Sequence, residues 1–328
     1  MMRVRERGLI QLSSVPAVAV VAAVLVLAAT SGTAAGALAP PPVAPGQPVT
    51  QQSGPKIYIS ADMEGLAGVV TSEQLGPGGF EYQRFRRFMT EEVLAAIEGA
   101  RAGGAGEILV SDSHGNGQNL LIEMFPDDIE IVRSWPRPLM MMEGIDESFD
   151  GAVFIGYHAG TTNPDGVRAH TMSSARLADV RINGVSVPEA GINAAIAGHF
   201  GVPVIMLSGD NAIAAEAQAI IGDIETAVVK QAISFHSART MTPAAAQALI
   251  RDTAERAVRR IGEFRPYTPQ TPITAEVRFK NYRPSQVLAL LPMFERPDAH
   301  SVSFTGADML EVSRVFHFIL QYGAVIDP

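Results

Sequence analysis

The chain has 328 residues, 47% of them hydrophobic, with a formal net charge of −9, which suits a globular body of one large domain or two smaller ones. So acidic a balance supplies no basic face for neutralising phosphates and argues against a nucleic-acid partner. The lack of cysteine excludes disulfides and thiolate metal sites, so any metal must be held by His, Asp or Glu.

Arg3, Arg5 and Arg7 precede the apolar run from Val15 to Thr30, and small residues follow it. A basic stretch, an apolar core and an A-x-A-like site predict a signal peptide over residues 1–39, cleaved after Ala37 or Ala39, and hence an exported protein, periplasmic or extracellular. The alternative is an uncleaved anchor, although the run is short of the roughly 20 residues a membrane span prefers; once the leader is cleaved, no stable span is expected. Residues 40–55, "PPPVAPGQPVTQQSGP", are rich in Pro and Gln and lack charge until Lys56, which reads as an extended linker.

From Lys56 onward short apolar runs alternate with stretches of helical period, the pattern of a mostly parallel sheet with helices on both faces. Strands are expected over 57–60, 107–111, 129–132, 152–156 and 202–208. Phe85, Phe88, Met89, Val93, Ala96 and Ile97 recur at helical spacing before Gly103-Gly104, and further helices are expected over 187–201 and 211–222. Thr242 and Pro243 open a long amphipathic helix that runs toward Phe264. The α/β domain is therefore expected over 56–265, and a smaller C-terminal α+β lobe over 266–328, with strands near 273–279 and 301–304 and a helix over 308–321.

In open α/β sheets ligands bind beyond the carboxyl ends of the strands. Asp62 and Glu64 follow the first strand, Asp112 and His114 the second, and His158 the run "AVFIG". Glu189 opens a helix, where the dipole favours a carboxylate, and Asn193 lies four residues later on the same face as a candidate for substrate binding. Two histidines with two or three carboxylates form a ligand set that suits zinc and, less well, manganese or cobalt. Asp62 could bridge two metals, and metal-assisted hydrolysis is the reaction class that follows. Singly, each residue has a plainer reading as a loop cap, a packed histidine or a helix-terminus charge; jointly, carboxylates this close require a cation among them. His170, on the loop after His158, is open as a further ligand, a general base or a surface residue. His199, His236, His300 and His317 carry no expected chemistry. The patterns of P-loops, zincins and serine hydrolases do not occur.

"SADMEG" resembles the S-x-D-x-E-G signature of the zinc-dependent D-aminopeptidases of the DppA type, and "VSDSHG", "FIGYHAG", "AHTMS" and "PEAGINAAIAG" follow in that family's order. The likeness runs from Lys56 to the C-terminus. It implies a peptidase with two Zn2+ ions per subunit that removes N-terminal D-residues, D-alanine foremost, from short peptides by metal-activated water. Asp62, Glu64, His114, His158 and Glu189 match that family's metal ligands, and His170 matches its catalytic histidine. A ring-like homodecamer is also implied. The leader is the departure from the family pattern. The competing expectations are an L-aminopeptidase or amidase on the same di-metal scaffold, or a non-catalytic exported metal- or peptide-binding protein.

Overall fold

In the computed structural model, which describes residues 53–322, the sheet is built outward from β1 (Ile57–Ala61), a strand buried at all five positions. The expected leader, and the linker up to residue 52, lie outside the described residues. Helix α1 (Tyr82–Ala102) leads to β2 (Ile108–Asp112) and β3 (Glu130–Val132), after which the chain returns to β4 (Gly151–Tyr157) on the other side of β1. The hairpin of β5 (Leu177–Ile182) and β6 (Val185–Ser186) then precedes α2 (Glu189–His199), β7 (Val204–Asp210) and α3 (Asn211–Ile221). Strands β8 (Glu225–Ser234) and β9 (Ser237–Thr240), α4 (Pro243–Arg259), β10 (Ile273–Phe279), α5 (Tyr282–Leu288), β11 (Ser301–Gly306) and α6 (Met309–Tyr322) complete the order.

The seven-stranded sheet runs β3-β2-β1-β4-β7-β8-β9, parallel throughout except for the β8–β9 edge. Side chains alternate across β1. Ile57, Ile59 and Ala61 pack with Phe85, Met89, Val93 and Ile97 of α1 and with Ile250 and Ala254 of α4. Tyr58 belongs to the core on the other face, with Ile192 and Ile196 of α2. Helices thus cover both faces, which is why the central strands read as continuous apolar runs rather than alternating ones.

The smaller α+β part expected at the C-terminus is built on a second, separate sheet. Strands β10 and β11 join the β5–β6 hairpin in a four-stranded antiparallel sheet ordered β11-β10-β5-β6, so this second sheet also draws on residues 177–186. The reason is burial: Val277, Phe279, Val302 and Phe316 share a core with Leu177, Val180 and Ile182 and have no separate one to build. Asn183 and Gly184, both at positive φ (50° and 81°), make the tight turn of that hairpin. Among the described residues no helix is long and apolar enough to cross a membrane.

The registers Ala61↔Asp112 and Ala61↔Ile155 bring the carboxyl ends of β2, β1 and β4 level. The chain winds outward from β1 through β2 and β3 and resumes at β4 on β1's other side, so the topological switch point lies between β1 and β4. The crevice there holds the expected ligands.

Candidate metal centre

Two glycines let β1 and β4 deliver their side chains to one point. The Gly65 amide donates to the Gly156 carbonyl at 2.7 Å, and a Cβ on Gly65 would fall 2.0 Å from the Tyr157 carbonyl oxygen. Gly156 has φ +72°, and its Cβ would meet the Asp62 carbonyl at 2.3 Å. The glycine after Glu64 is therefore needed for close approach of two backbones as well as for turning the chain. The following loop is held from below: Lys230 of β8, 1% exposed, donates to the carbonyls of Glu64 (2.5 Å), Leu66 (3.1 Å) and Val69 (2.7 Å), while Glu92 of α1 accepts the Ala67 amide at 3.0 Å.

Above this support the rim residues converge. His114 Nδ1 lies 3.1 Å from Asp62 Oδ1 and 2.9 Å from Glu64 Oε2, and His158 Nε2 lies 3.3 Å from Asp62 Oδ2 and 3.6 Å from Glu189 Oε1. One Asp62 oxygen thus faces each half of the cluster. His170 stacks on His158, with ring centres 4.1 Å apart and planes within 6°, and its Nε2 is 3.9 Å from Glu189 Oε1. The donors fall into two groups, Asp62–Glu64–His114 and His158–His170–Glu189, in each of which ligand atoms lie within 4.8 Å of one another.

Each imidazole is anchored through one nitrogen to a backbone carbonyl. His114 Nε2 donates to Leu75 at 2.7 Å, His158 Nδ1 to Ala159 at 3.1 Å and His170 Nδ1 to Arg168 at 2.8 Å. This fixes the tautomers and turns the other nitrogen of each ring toward the carboxylates, the arrangement that orients metal-ligating histidines. Asp62 Oδ2 and Glu64 Oε2 are buried without a hydrogen bond. The carboxylate field is strong enough to hold protons on the rings. Burial lowers His114 and His158, yet Glu64 and Asp62 raise the first, and Glu189 and Asp62 the second, well above the ordinary histidine value. Burial and Glu64 push Asp62 up, whereas Glu64, despite burial, is held well below the carboxylate range by His114. Divalent cations satisfy the same field with more charge, and N/O donors in two groups, with one Asp62 oxygen facing His114 and the other His158, fit two zinc ions.

The cluster opens into a cavity of about 290 Å³, walled by Trp135, Met140, Met141 and Met172 and closed on one side by His317 and Leu320 of α6. That volume takes one or two small residues of a peptide.

The structure brings together Asp62, Glu64, His114, His158, Glu189 and His170. Asn193 is set elsewhere. It is fully buried, does not line the cavity, and donates from Nδ2 to the Tyr157 hydroxyl (2.9 Å) and the Met141 sulfur (3.1 Å). It supports the floor rather than touching substrate, because one helical turn beyond Glu189 carries it past the rim to the Tyr157 hydroxyl. Asp112 likewise turns away, accepting the amides of Asn119 and Leu120 and the Asn119 side chain. Sequence reasoning misses Lys230 and Trp135, and passes over His317; only for His317 was there a local signal, its place on an amphipathic helix beside the apolar face.

Comparison with known proteins agrees with this geometry. The family model described as D-aminopeptidase matches residues 56–318. A D-aminopeptidase of Bacillus subtilis (strain 168) is 36% identical over 260 residues, 78% of this chain and 93% of that protein. The solved structure of the zinc-dependent D-aminopeptidase DppA from Bacillus subtilis, described as a self-compartmentalizing protease, superposes with a TM-score of 0.79 at 34% identity, covering 83% of this chain and 98% of that one.

Proposed function

The chain belongs to the D-aminopeptidase family and is a zinc-dependent peptide hydrolase, and from that premise we propose that it removes N-terminal D-residues, D-alanine foremost, from short peptides outside the cytoplasm. The observation that carries the proposal is the split of the donors around Asp62, one carboxylate oxygen toward His114 and the other toward His158. Asp62, Glu64 and His114 would hold one zinc, and Asp62, His158 and Glu189 the other. Zinc bound there supplies Lewis acidity to the scissile carbonyl and brings the pKa of a coordinated water to about 7.

The chain's own residues do the rest. Arg168 keeps the His170 proton on Nδ1, so Nε2 is the atom free to take a proton from the attacking water and return it to the leaving amine. Stacking on His158 holds that ring in place. The methionine wall excludes water and receives a small apolar side chain.

The leader expected over 1–39 supports the extracytoplasmic address, where D-alanyl peptides derived from peptidoglycan are the candidate substrates. The relative's description as self-compartmentalizing supports a homo-oligomer, a decamer on the family resemblance. Exposed Ile233, Phe235 and Met241 around the β8–β9 edge offer apolar surface for such an assembly.

The test is the purified zinc-loaded protein offered D-Ala-D-Ala, L-Ala-L-Ala and D-alaninamide. Selective cleavage of the first is expected. Preference for the L-peptide or the amide would transfer the site to the competing activities, and tight binding without cleavage would make it a binding protein. Cell fractionation tests the address and light scattering the assembly.

A further inference from the structure

Arg137 is 4% exposed, yet its guanidinium is met by neutral groups. Nη1 donates to Ser111 Oγ at 2.9 Å and Nη2 to the Asp112 backbone carbonyl at 2.6 Å. The guanidinium carbon lies 3.7 Å from the centre of the Trp135 ring, and the buried Nε has no hydrogen-bond partner. The carboxylates of Asp112 and Glu143 act on it only through space, because the first is occupied by Asn119 and Leu120 and the second accepts the Leu139 amide. A buried cation whose direct hydrogen-bond partners are all neutral has room for an anion in contact with it.

A second buried nitrogen without a partner stands beside it. His317 Nε2 on α6 makes no hydrogen bond, and its ring lies 6.2 Å from that of Trp135. Arg314, three residues earlier on the same helix and exposed, completes a cationic wall around a cavity of about 270 Å³ whose other lining residues are Pro136 and Pro138. His317 also lines the catalytic cavity, so the two spaces meet at its ring.

We propose that the cavity of Arg137, Arg314 and His317 is a carboxylate subsite that receives the C-terminal end of a short peptide whose N-terminal residue occupies the metal centre. The inference rests on the aminopeptidase reading above, which places the free amine at the other end of the ligand. Guanidinium groups match the planar fork of a carboxylate. Engagement of both ends selects short peptides with a free C-terminus over long chains and over C-terminal amides.

Trp135, the chain's single tryptophan, lies against both Arg137 and His317 and reports on the subsite without turnover. Two measurements on the zinc-loaded full chain test the proposal. In the first, D-Ala-D-Ala and its C-terminal amide are compared in steady state; the amide is expected to show a KM about tenfold higher or more with a similar kcat, and Arg314→Gln or His317→Gln to erase the difference. In the second, N-acetyl-D-Ala-D-Ala, which lacks the free amine, and its amide are titrated against tryptophan fluorescence. A saturable change with the acid alone, lost in the two variants, is expected. Equal KM values for acid and amide with no selective fluorescence change would overturn the subsite while leaving the aminopeptidase reading intact. Selective binding of the acid without cleavage of either peptide would overturn that reading and keep the subsite as one for peptide carboxylates. A change reproduced by sodium acetate at equal concentration would make it a site for free anions and overturn the proposal.

Discussion

The ammonium of Lys230 stands 2.5 Å from the backbone carbonyl oxygen of Glu64, so the residue that offers a carboxylate to the metal centre is itself held by a buried cation from the far side of the sheet. With the Leu66 and Val69 carbonyls also satisfied by the same group, Lys230 does the work of a structural ion. Replacing it by methionine takes the Lys230 hydrogen bond from three carbonyls, of which only that of Leu66 keeps another donor, the Val69 amide. Lys230→Met is expected to destabilise the fold by about 3 kcal/mol or more and to lower zinc retention through a misplaced Glu64. Thermal unfolding and zinc content after gel filtration check this; an unchanged melting temperature with full zinc would show the clamp to be dispensable.

Glu92, beneath the same loop, gives a pH dependence. Burial pushes its carboxyl up to about 7, against the smaller opposing pulls of the Ala67 amide and Lys230. The unfolded chain releases this proton near 4.5, so between those values the folded state binds the extra proton. The group's stabilising contribution is complete below about 4.5 and is lost as pH rises through about 7. Glu92→Gln stays neutral throughout. The stability of the wild type relative to this variant is therefore expected to fall by up to about 3 kcal/mol across that window. Denaturant unfolding of both proteins at matched zinc loading measures it, and a constant difference from pH 4.5 to 7.5 would contradict the assignment.

The metal centre is legible in the sequence and its supports are not, for a physical reason. Asp62, Glu64, His114 and His158 stand directly after strands that the apolar runs reveal, and parallel pairing brings strand ends together whatever lies between. The partners of Lys230 are backbone carbonyls 161 to 166 residues away, which no side-chain pattern reports. Asn193 misleads because it shares a helix face with Glu189 but lies one turn further in, past the cavity rim and against the Tyr157 hydroxyl and the Met141 sulfur. The β5–β6 hairpin carries a readable signal, Asn183-Gly184 between apolar runs. Its pairing with β10, which ties it to the second sheet, depends on a core that assembles only in three dimensions.

The roles of the rim residues separate by metal content. Asp62→Asn removes charge from the position facing both halves of the cluster, and His158→Ala removes a donor whose ring also packs His170 in place. Both variants are expected to lose zinc and with it all activity. His170→Ala is expected to keep two zinc ions per chain while losing rate by a factor of about 100 or more, the usual scale of a positioned acid or base. Elemental analysis alongside turnover decides the matter: zinc loss in His170→Ala would move that residue into the ligand set.

Gly65→Ala tests the close approach on which the whole site depends. A methyl group there would sit 2.0 Å from the Tyr157 carbonyl oxygen and 2.5 Å from the Gly156 carbonyl carbon, both of them backbone atoms that cannot rotate away. The sheet can admit the methyl only by prising β1 from β4 at the level of Asp62 and His158, whose Oδ2 and Nε2 atoms are 3.3 Å apart. That separation breaks the Gly65 to Gly156 hydrogen bond and parts the two halves of the ligand cluster. The variant is expected to lose about 3 kcal/mol or more of stability, in the range of severe steric substitutions, and to bind zinc weakly even where it folds. A far-ultraviolet circular dichroism melt combined with zinc titration separates the two effects, since wild-type affinity in a folded Gly65→Ala protein would mean that the halves need not be held at this distance.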